Sequence, residues 1–203
     1  MRAAFSLFFC LLAFEGQAKN NLRTSLFNGK TLQGWEGDTD FFRVEKQCIV
    51  AGSLDRAIPG NRFLASTLEF KNFELQFQAK LIGQGKNAGV QFWSQRLPNS
   101  HEMIGYQADV GPGWWGKLYD ESRRRKVIGP WVSNEAAQAA KEGWNDYKIR
   151  CEGRRIRLWI NDVLTCDYIE KDESIPLEGF IALQAHSGPP FEASYRKIVI
   201  KEL

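Results

Sequence analysis

A chain of 203 residues with 43% hydrophobic and 25% charged residues has ordinary globular composition and enough length for one self-sufficient core. Its net charge of +3 is too small to recruit nucleic acid, and Arg123 to Lys126 is the only basic run, which reads as a solvated hairpin tip. No segment is apolar for long enough to span a bilayer, which takes roughly 17–25 residues.

Residues 1–18 read as a secretory signal rather than as fold. Arg2 is the basic start, residues 3–14 are the apolar stretch, and Gly16-Gln17-Ala18 has the small-x-Ala pattern of a cleavage site. The mature chain is expected to begin at or near Lys19, with residues 19–203 forming one exported domain, periplasmic or extracellular. Cys10 lies inside the apolar run, which argues against a lipid anchor. Cys48, Cys151 and Cys166 remain. Three cysteines make no disulfide framework, and no Cys/His spacing suggests zinc.

Residues 73–81, FELQFQAKL, alternate strictly. Phe73, Leu75, Phe77, Ala79 and Leu81 face one way, and Glu74, Gln76, Gln78 and Lys80 the other, as in a half-buried strand. Residues 88–95, AGVQFWSQ, repeat the pattern, with Val90 and Phe92 inward and Gln91, Trp93 and Gln95 outward. In IGYQADV, Gln107 and Asp109 oppose Tyr106, Ala108 and Val110.

The segment GPGWWGKLYDESRRR follows. Pro112 between two glycines predicts a turn. Trp114 and Trp115 are expected to open the next strand, one in the core and one as a rim platform. Lys117, Tyr119 and Glu121 then share one side, opposite Leu118 and Asp120. A short helix is predicted near 133–142, with Ser133 as N-cap, Glu135 in the first turn and Gly143 as the stop.

Residues 145–170 predict a three-strand meander, with two-residue turns at Gly153-Arg154 and Asn161-Asp162. This register sets Cys151 opposite Ile156 and Cys166 opposite Arg157, on either side of one strand. Neighbouring strands lie about 4.8 Å apart, so the two cysteines are roughly 9.6 Å apart, beyond the ~6.8 Å limit for a bridge. GFIALQAH and ASYRKIVIKEL supply the last strands. The pattern predicts an all-β fold, an antiparallel β-sandwich of jelly-roll type with one short helix.

The outward residues form a second pattern. If the strands share a sheet, its non-core face carries Gln91, Trp93, Gln107, Asp109, Gln184 and His186, with Gln76, Gln78 and Lys80 beside them. Amides donate and accept at once, and indoles offer an apolar plate, which suits a polyhydroxylated ligand. A small-molecule carbohydrate is the partner these residues imply. Solvated outer faces are routine in antiparallel sheets, so the amides taken singly carry little weight.

Four stretches taken together resemble the 3-keto-disaccharide hydrolase domain family: SLFNGKTLQGWEG, GYQADVG followed by WWGKLYDESRR, GWNDYKIRCEGRRIRLWIND, and GFIALQAHSGPPFEASYRKIVIKEL. The resemblance runs from about Ser25 to Leu203. It implies a concanavalin-A-like sandwich, often exported, acting on glycosides already oxidised at C3. His186 matches a frequent histidine of the family. Gln107 stands where the family often has Glu, and Asn161-Asp162 where it has Asn-Gly.

A ketone at C3 acidifies the C2 proton, so a base can form an enolate and expel the group at C1. Water adding to the product gives net hydrolysis. His186 is the expected base, since histidine titrates near neutrality, with Asp109 orienting it or serving instead. Lys117 or Arg123 would hold the enolate oxygen, and Glu121 or Tyr119 would protonate the leaving group. Trp93, Trp114 and Trp115 would stack on sugar rings, and Gln91, Gln107 and Gln184 would bind hydroxyls.

Two-carboxylate glycoside hydrolysis competes, but the Glu-x-Asp-x-x-Glu strand motif of sandwich glucanases is absent from the sequence. A noncatalytic carbohydrate-binding module is the other alternative. No cofactor is called for. Asp109, Asp120, Glu121 and His186 could gather a divalent cation, though no spacing compels one.

Overall fold

The computed structural model describes residues 22–203. The expected signal, residues 1–18, lies outside the described residues. In chain order the strands are Arg23–Ser25 (β1), Trp35–Gly37 (β2), Phe42–Glu45 (β3), Cys48–Ser53 (β4), Arg62–Phe70 (β5), Phe73–Gly83 (β6), Ala88–Arg96 (β7), Met103–Val110 (β8), Leu118–Glu121 (β9), Lys126–Gly129 (β10), Asn145–Glu152 (β11), Arg155–Ile160 (β12), Val163–Ile169 (β13), Gly179–Ala185 (β14) and Phe191–Glu202 (β15). One helical turn, Asn134–Ala137 (α1), separates β10 from β11.

The strands form two antiparallel sheets. One runs β13-β12-β11-β6-β15-β4-β3, with β1 beside β15. The other runs β10-β9-β8-β7-β14-β5-β2. This is the β-sandwich that the alternating sequence implies. Inward residues of both sheets meet in one core, where Phe73 of the first sheet meets Phe92 of the second edge-on at 6.3 Å. Each such fully buried ring contributes about 1.5–3 kcal/mol relative to its exposed state. No helix among the described residues is long and apolar enough to cross a membrane.

The meander forms with both turns as expected, since Glu152 pairs with Arg155 and Ile160 with Val163. Asn161 and Asp162 both have positive φ, 47° and 66°, the geometry of a two-residue hairpin turn that Asn and Asp tolerate. Cys151 lies opposite Ile156, but Cys166 lies opposite Leu158, not Arg157. A bulge between Leu158 and Trp159 adds one residue to β13 and shifts the register. All three described cysteines are free and buried, so no bridge joins Cys151 to Cys166.

The helix is shorter than its alanine content suggests. Ser133 Oγ accepts from Ala136 N at 3.1 Å, as an N-cap should, but the helix stops at Ala137. Asn145 takes over the following chain. Its side chain accepts from Lys141 N and donates to Lys141 O, both at 2.8 Å. Those bonds hold 141 in a loop closing onto β11 and compete with helical pairing.

The outward face of β6 belongs to the first sheet. Gln76, Gln78 and Lys80 are therefore on the opposite side of the sandwich from Gln107 and Gln184, and the single amide-tiled face expected from parity is split.

Candidate active site

The second sheet places β8 between β7 and β9, with β14 beyond β7. Directly paired residues of antiparallel strands share a face. Gln107 pairs with Gln91 on one side and Tyr119 on the other. Asp109 pairs with Gly89, which pairs with Gln184. These residues accordingly form two adjacent rows on the non-core face, and His186 follows Gln184 just past the end of β14.

Asn87, Gln107, Asp109, Trp114, Tyr119, Glu121 and His186 line one cleft of about 150 Å3. Six of these seven come from the residues singled out in the sequence. Asn87 was missed. It immediately precedes β7, two residues before the Gly89 that faces Asp109, and that parity was its only signal.

Gly89 shapes the floor. A Cβ there would lie 2.4 Å from Gln107 Cδ, so only glycine leaves room for the Gln107 side chain to cross it. Gln107 Nε2 then donates to Asp109 Oδ1 at 3.0 Å. Gln91 Nε2 in turn reaches Gln107 Oε1 at 3.4 Å, a long contact. The backbone behind Asp109 is pinned. Its N–H donates to Lys117 O, and its carbonyl accepts from Gly116 N and the buried Tyr147 hydroxyl.

Burial pushes the Asp109 carboxyl up to about 8, with the nearby Glu121 charge adding and the Gln107 hydrogen bond opposing. Near pH 7 this favours the protonated, neutral form of Asp109. With Oδ1 accepting from Gln107, the proton falls on Oδ2, which is buried without a protein partner. Gln91 Oε1 and Gln184 Oε1 are buried acceptors in the same state. Such groups are costly unless something supplies the missing bonds.

Glu121 is also pushed up, by burial and by the charge of Glu102, while His186 and a 3.3 Å bond from Gln184 Nε2 pull it down. Glu102 sits in the loop before β8 and was another residue missed in the sequence. His186 Nδ1 lies 2.6 Å from Ser187 O. A carbonyl can only accept, so Nδ1 carries the proton and the neutral ring has its lone pair on Nε2. Trp114 is 41% exposed and stands at the rim.

Several sequence expectations are corrected. Trp93 is not at the cleft but is buried in the core, 3% exposed. Its φ is +47°, and Trp93 and Ser94 together face one residue of β8. This bulge turns the indole inward, edge-on to Tyr106 at 5.8 Å, with Nε1 donating to Lys71 O at 2.7 Å. Gly105 permits it, since a Cβ there would meet Ser94 Oγ at 2.1 Å. Trp93→Phe should accordingly cost about 1–3 kcal/mol, by loss of a buried hydrogen bond and packing. Urea unfolding measures that cost, and unchanged sugar binding by the folded variant would confirm that the ring is structural.

Arg123 also faces away. It bonds the buried Asp120 at 2.8 Å and lies 4.7 Å from the Tyr106 ring, on the core side of β9. Asp120 is thereby excluded from any cation site with Asp109, Glu121 and His186. Lys117 does not line the cleft. Its ammonium stacks on Trp131 at 4.0 Å and Trp114 at 5.1 Å. Trp114 and Trp115 lie in the turn before β9 rather than opening the strand, because both donate to Gly111 O. Trp115 packs on the core and is absent from the cleft, near Tyr147 at 6.5 Å.

A family model described as a 3-keto-alpha-glucoside-1,2-lyase-like domain matches residues 23–201. Among solved structures, a Parabacteroides distasonis protein provisionally assigned as a glycosyl hydrolase is 20% identical with a TM-score of 0.68, covering 90% of this chain and all, 100%, of that one. A second from the same organism is 18% identical with a TM-score of 0.66, over 89% of this chain and 94% of the other. The carbohydrate-binding module CBM66 of Bacillus subtilis is 17% identical with a TM-score of 0.65, over 83% and 96%. At these identities the likeness is one of fold. No curated protein matches the chain.

Proposed function

The chain belongs to the 3-keto-alpha-glucoside-1,2-lyase-like domain family, and from that premise we propose that it is a carbohydrate-active enzyme cleaving the glycosidic bond of glycosides oxidised at C3. The observation that carries the reading is the pairing of a neutral buried acid, Asp109, with a histidine whose Nε2 is free to accept a proton, in one cleft. A plain sugar-binding face has no need of a carboxyl held protonated at neutral pH.

In this reading His186 Nε2 takes the C2 proton. The electron pair moves into C2–C3 and the negative charge collects on O3. Asp109 donates a hydrogen bond to that oxygen, the role first assigned to Lys117 or Arg123, which do not line the cleft. A carboxylic acid kept neutral by its site suits this work. The enolate then expels the C1 oxygen, which takes a proton from Glu121, whose raised affinity for protons fits an acid, or from Tyr119. Water adding across the resulting C1–C2 double bond completes net hydrolysis. Gln107 and Asn87 face the sugar hydroxyls, and Trp114 covers one end of the ring. Residues 1–18 would deliver the enzyme outside the cytoplasm.

Incubating the protein with a panel of 3-keto-glycosides and analysing products tests the reaction. The pH profile tests the roles. The active form has Asp109 protonated, so kcat/KM should fall as pH rises through about 8. Asp109→Asn should lower kcat and remove the part of the alkaline limb that Asp109 sets, leaving the part set by the acid that protonates the leaving group. Binding of the whole panel without turnover would leave the chain as a noncatalytic carbohydrate-binding module.

A further inference from the structure

The cleft is too small to be the whole ligand site. At about 150 Å3 it falls below the roughly 300–1,000 Å3 usual for small-molecule pockets. It does not end there. Asn87, Trp114 and His186 also line an adjoining hollow of about 610 Å3. That hollow shares Lys86 and Pro112 with a third, of about 530 Å3. Through these shared residues the three adjoin in series, from His186 past the 83–87 loop to Trp131.

The middle of the groove is floored by backbone. Gly83 has φ of +102°, and a Cβ on it would lie 2.7 Å from Phe191 Cα. A Cβ on Gly85 would lie 2.3 Å from Pro189 O. Glycine at both positions lets this segment pack directly on the 189–191 backbone.

The chemistry changes along the groove. The inner end presents amide, carboxyl, phenol and imidazole. The outer end presents Leu81, Ile82, Trp115, Trp131 and Ala140, with Lys86, Lys141 and Glu142 also lining it and no side-chain amide. Ile82 is 37% exposed there, on the last turn of the pleat before Gly83. A flat apolar ring laid on these side chains would remove their exposed surface from water.

We propose that the outer end binds an aromatic, apolar aglycone, so that the enzyme's substrates are 3-keto-glycosides of arylalkyl or larger aromatic alcohols. The inference rests on the cleft being the sugar-cleaving end. Trp131 and Ile82 are then specificity-determining residues.

The test compares ethyl and 2-(2-naphthyl)ethyl 3-keto-glucosides, in both anomeric forms, with a 3-keto-disaccharide. The ethyl and naphthylethyl leaving alcohols are chemically alike, so differences between them report binding. The naphthylethyl compound should show a KM about tenfold or more lower, given what one apolar pocket can discriminate. Trp131→Ala and Ile82→Ser should each shrink that advantage. Ile82 is at the surface, so its variant keeps the test valid if Trp131→Ala fails to fold.

A second arm measures binding of 2-naphthylethanol alone by calorimetry, without any turnover. It should bind the wild type and bind both variants more weakly. If no 3-keto-glycoside is cleaved yet the free alcohol binds in this way, the cleavage reading fails and the aromatic site stands. Equal KM values with no binding of the alcohol would overturn the aglycone site. So would a clear preference for the disaccharide, which would make the outer end a sugar subsite.

Discussion

His186→Ala is expected to lower kcat by about 10²–10⁴-fold on a 3-keto-glycoside, the usual contribution of a general base. At about 1.4 kcal/mol per factor of ten, that is roughly 3–5 kcal/mol of transition-state stabilisation. KM should move by much less, because the sugar is held by Gln107, Asn87 and Trp114 and not by the lone pair of Nε2. The loss should not come from unfolding. His186 is only half-buried and its one bond is from Nδ1 to the carbonyl of the next residue, Ser187. A melting temperature close to wild type alongside the lost turnover would separate chemistry from stability, and added imidazole should restore part of the rate. An alanine variant with undiminished kcat would remove His186 as the base and leave Glu121 as the remaining candidate in the cleft.

Glu170→Ala should be the most destabilising single truncation outside the hydrophobic core, at about 3–5 kcal/mol, the cost of stranding a buried partner. Glu170 is 2% exposed. Its Oε2 accepts from the Tyr106 hydroxyl at 2.7 Å, and its two oxygens accept both Arg124 terminal nitrogens at 2.8 and 2.9 Å. Asp172 N donates to Oε1 at 2.8 Å. Burial works to raise this carboxyl, but the bonds from Arg124, Tyr106 and Asp172 hold it down to about 2.

The sign of the pH effect follows. The folded-state value lies below the unfolded value of about 4.3, so the stabilisation is complete above that pH and is lost as pH falls from there towards 2. Urea unfolding across that range should show a steep loss in the wild type and a shallower one in Glu170→Gln. Equal slopes would mean that the Arg124 pair is not felt in the folded state. The consequence reaches the cleft as well. Tyr106 anchors the core side of β8, and its chain neighbour Gln107 points into the cleft from the other.

Much of the fold and part of the site could be read from periodicity. The alternation in 73–81, 88–92, 104–110 and 117–121 set which residues face the core, because a strand repeats every two residues wherever it is regular. That alone put Gln107, Asp109, Tyr119 and Glu121 on one side of their strands, and Gln184 and His186 on one side of theirs. The same rule failed at Trp93. There the hidden variable was a bulge, stabilised by a glycine on the neighbouring strand and a carbonyl at Lys71, neither visible from the local pattern. Cys166 shifted by one position for the same reason.

What the sequence by itself determined is the local facing of the regular stretches of strand, the two hairpin turns at Gly153 and Asn161, and the N-cap at Ser133, all set by residues within a few positions of one another. What only the tertiary structure decided is which polar faces meet. Sheet order sent Gln76, Gln78 and Lys80 to the far side of the sandwich and brought β8, β9 and the end of β14 around one cleft. Long flexible side chains were decided the same way. Arg123 folded onto buried Asp120, and Lys117 onto two indoles, because a charge at a sandwich edge takes whatever partner the fold brings within reach. The proton on Asp109 was decided last of all, since an aspartate is an acid held neutral only where neighbouring strands have taken the water away.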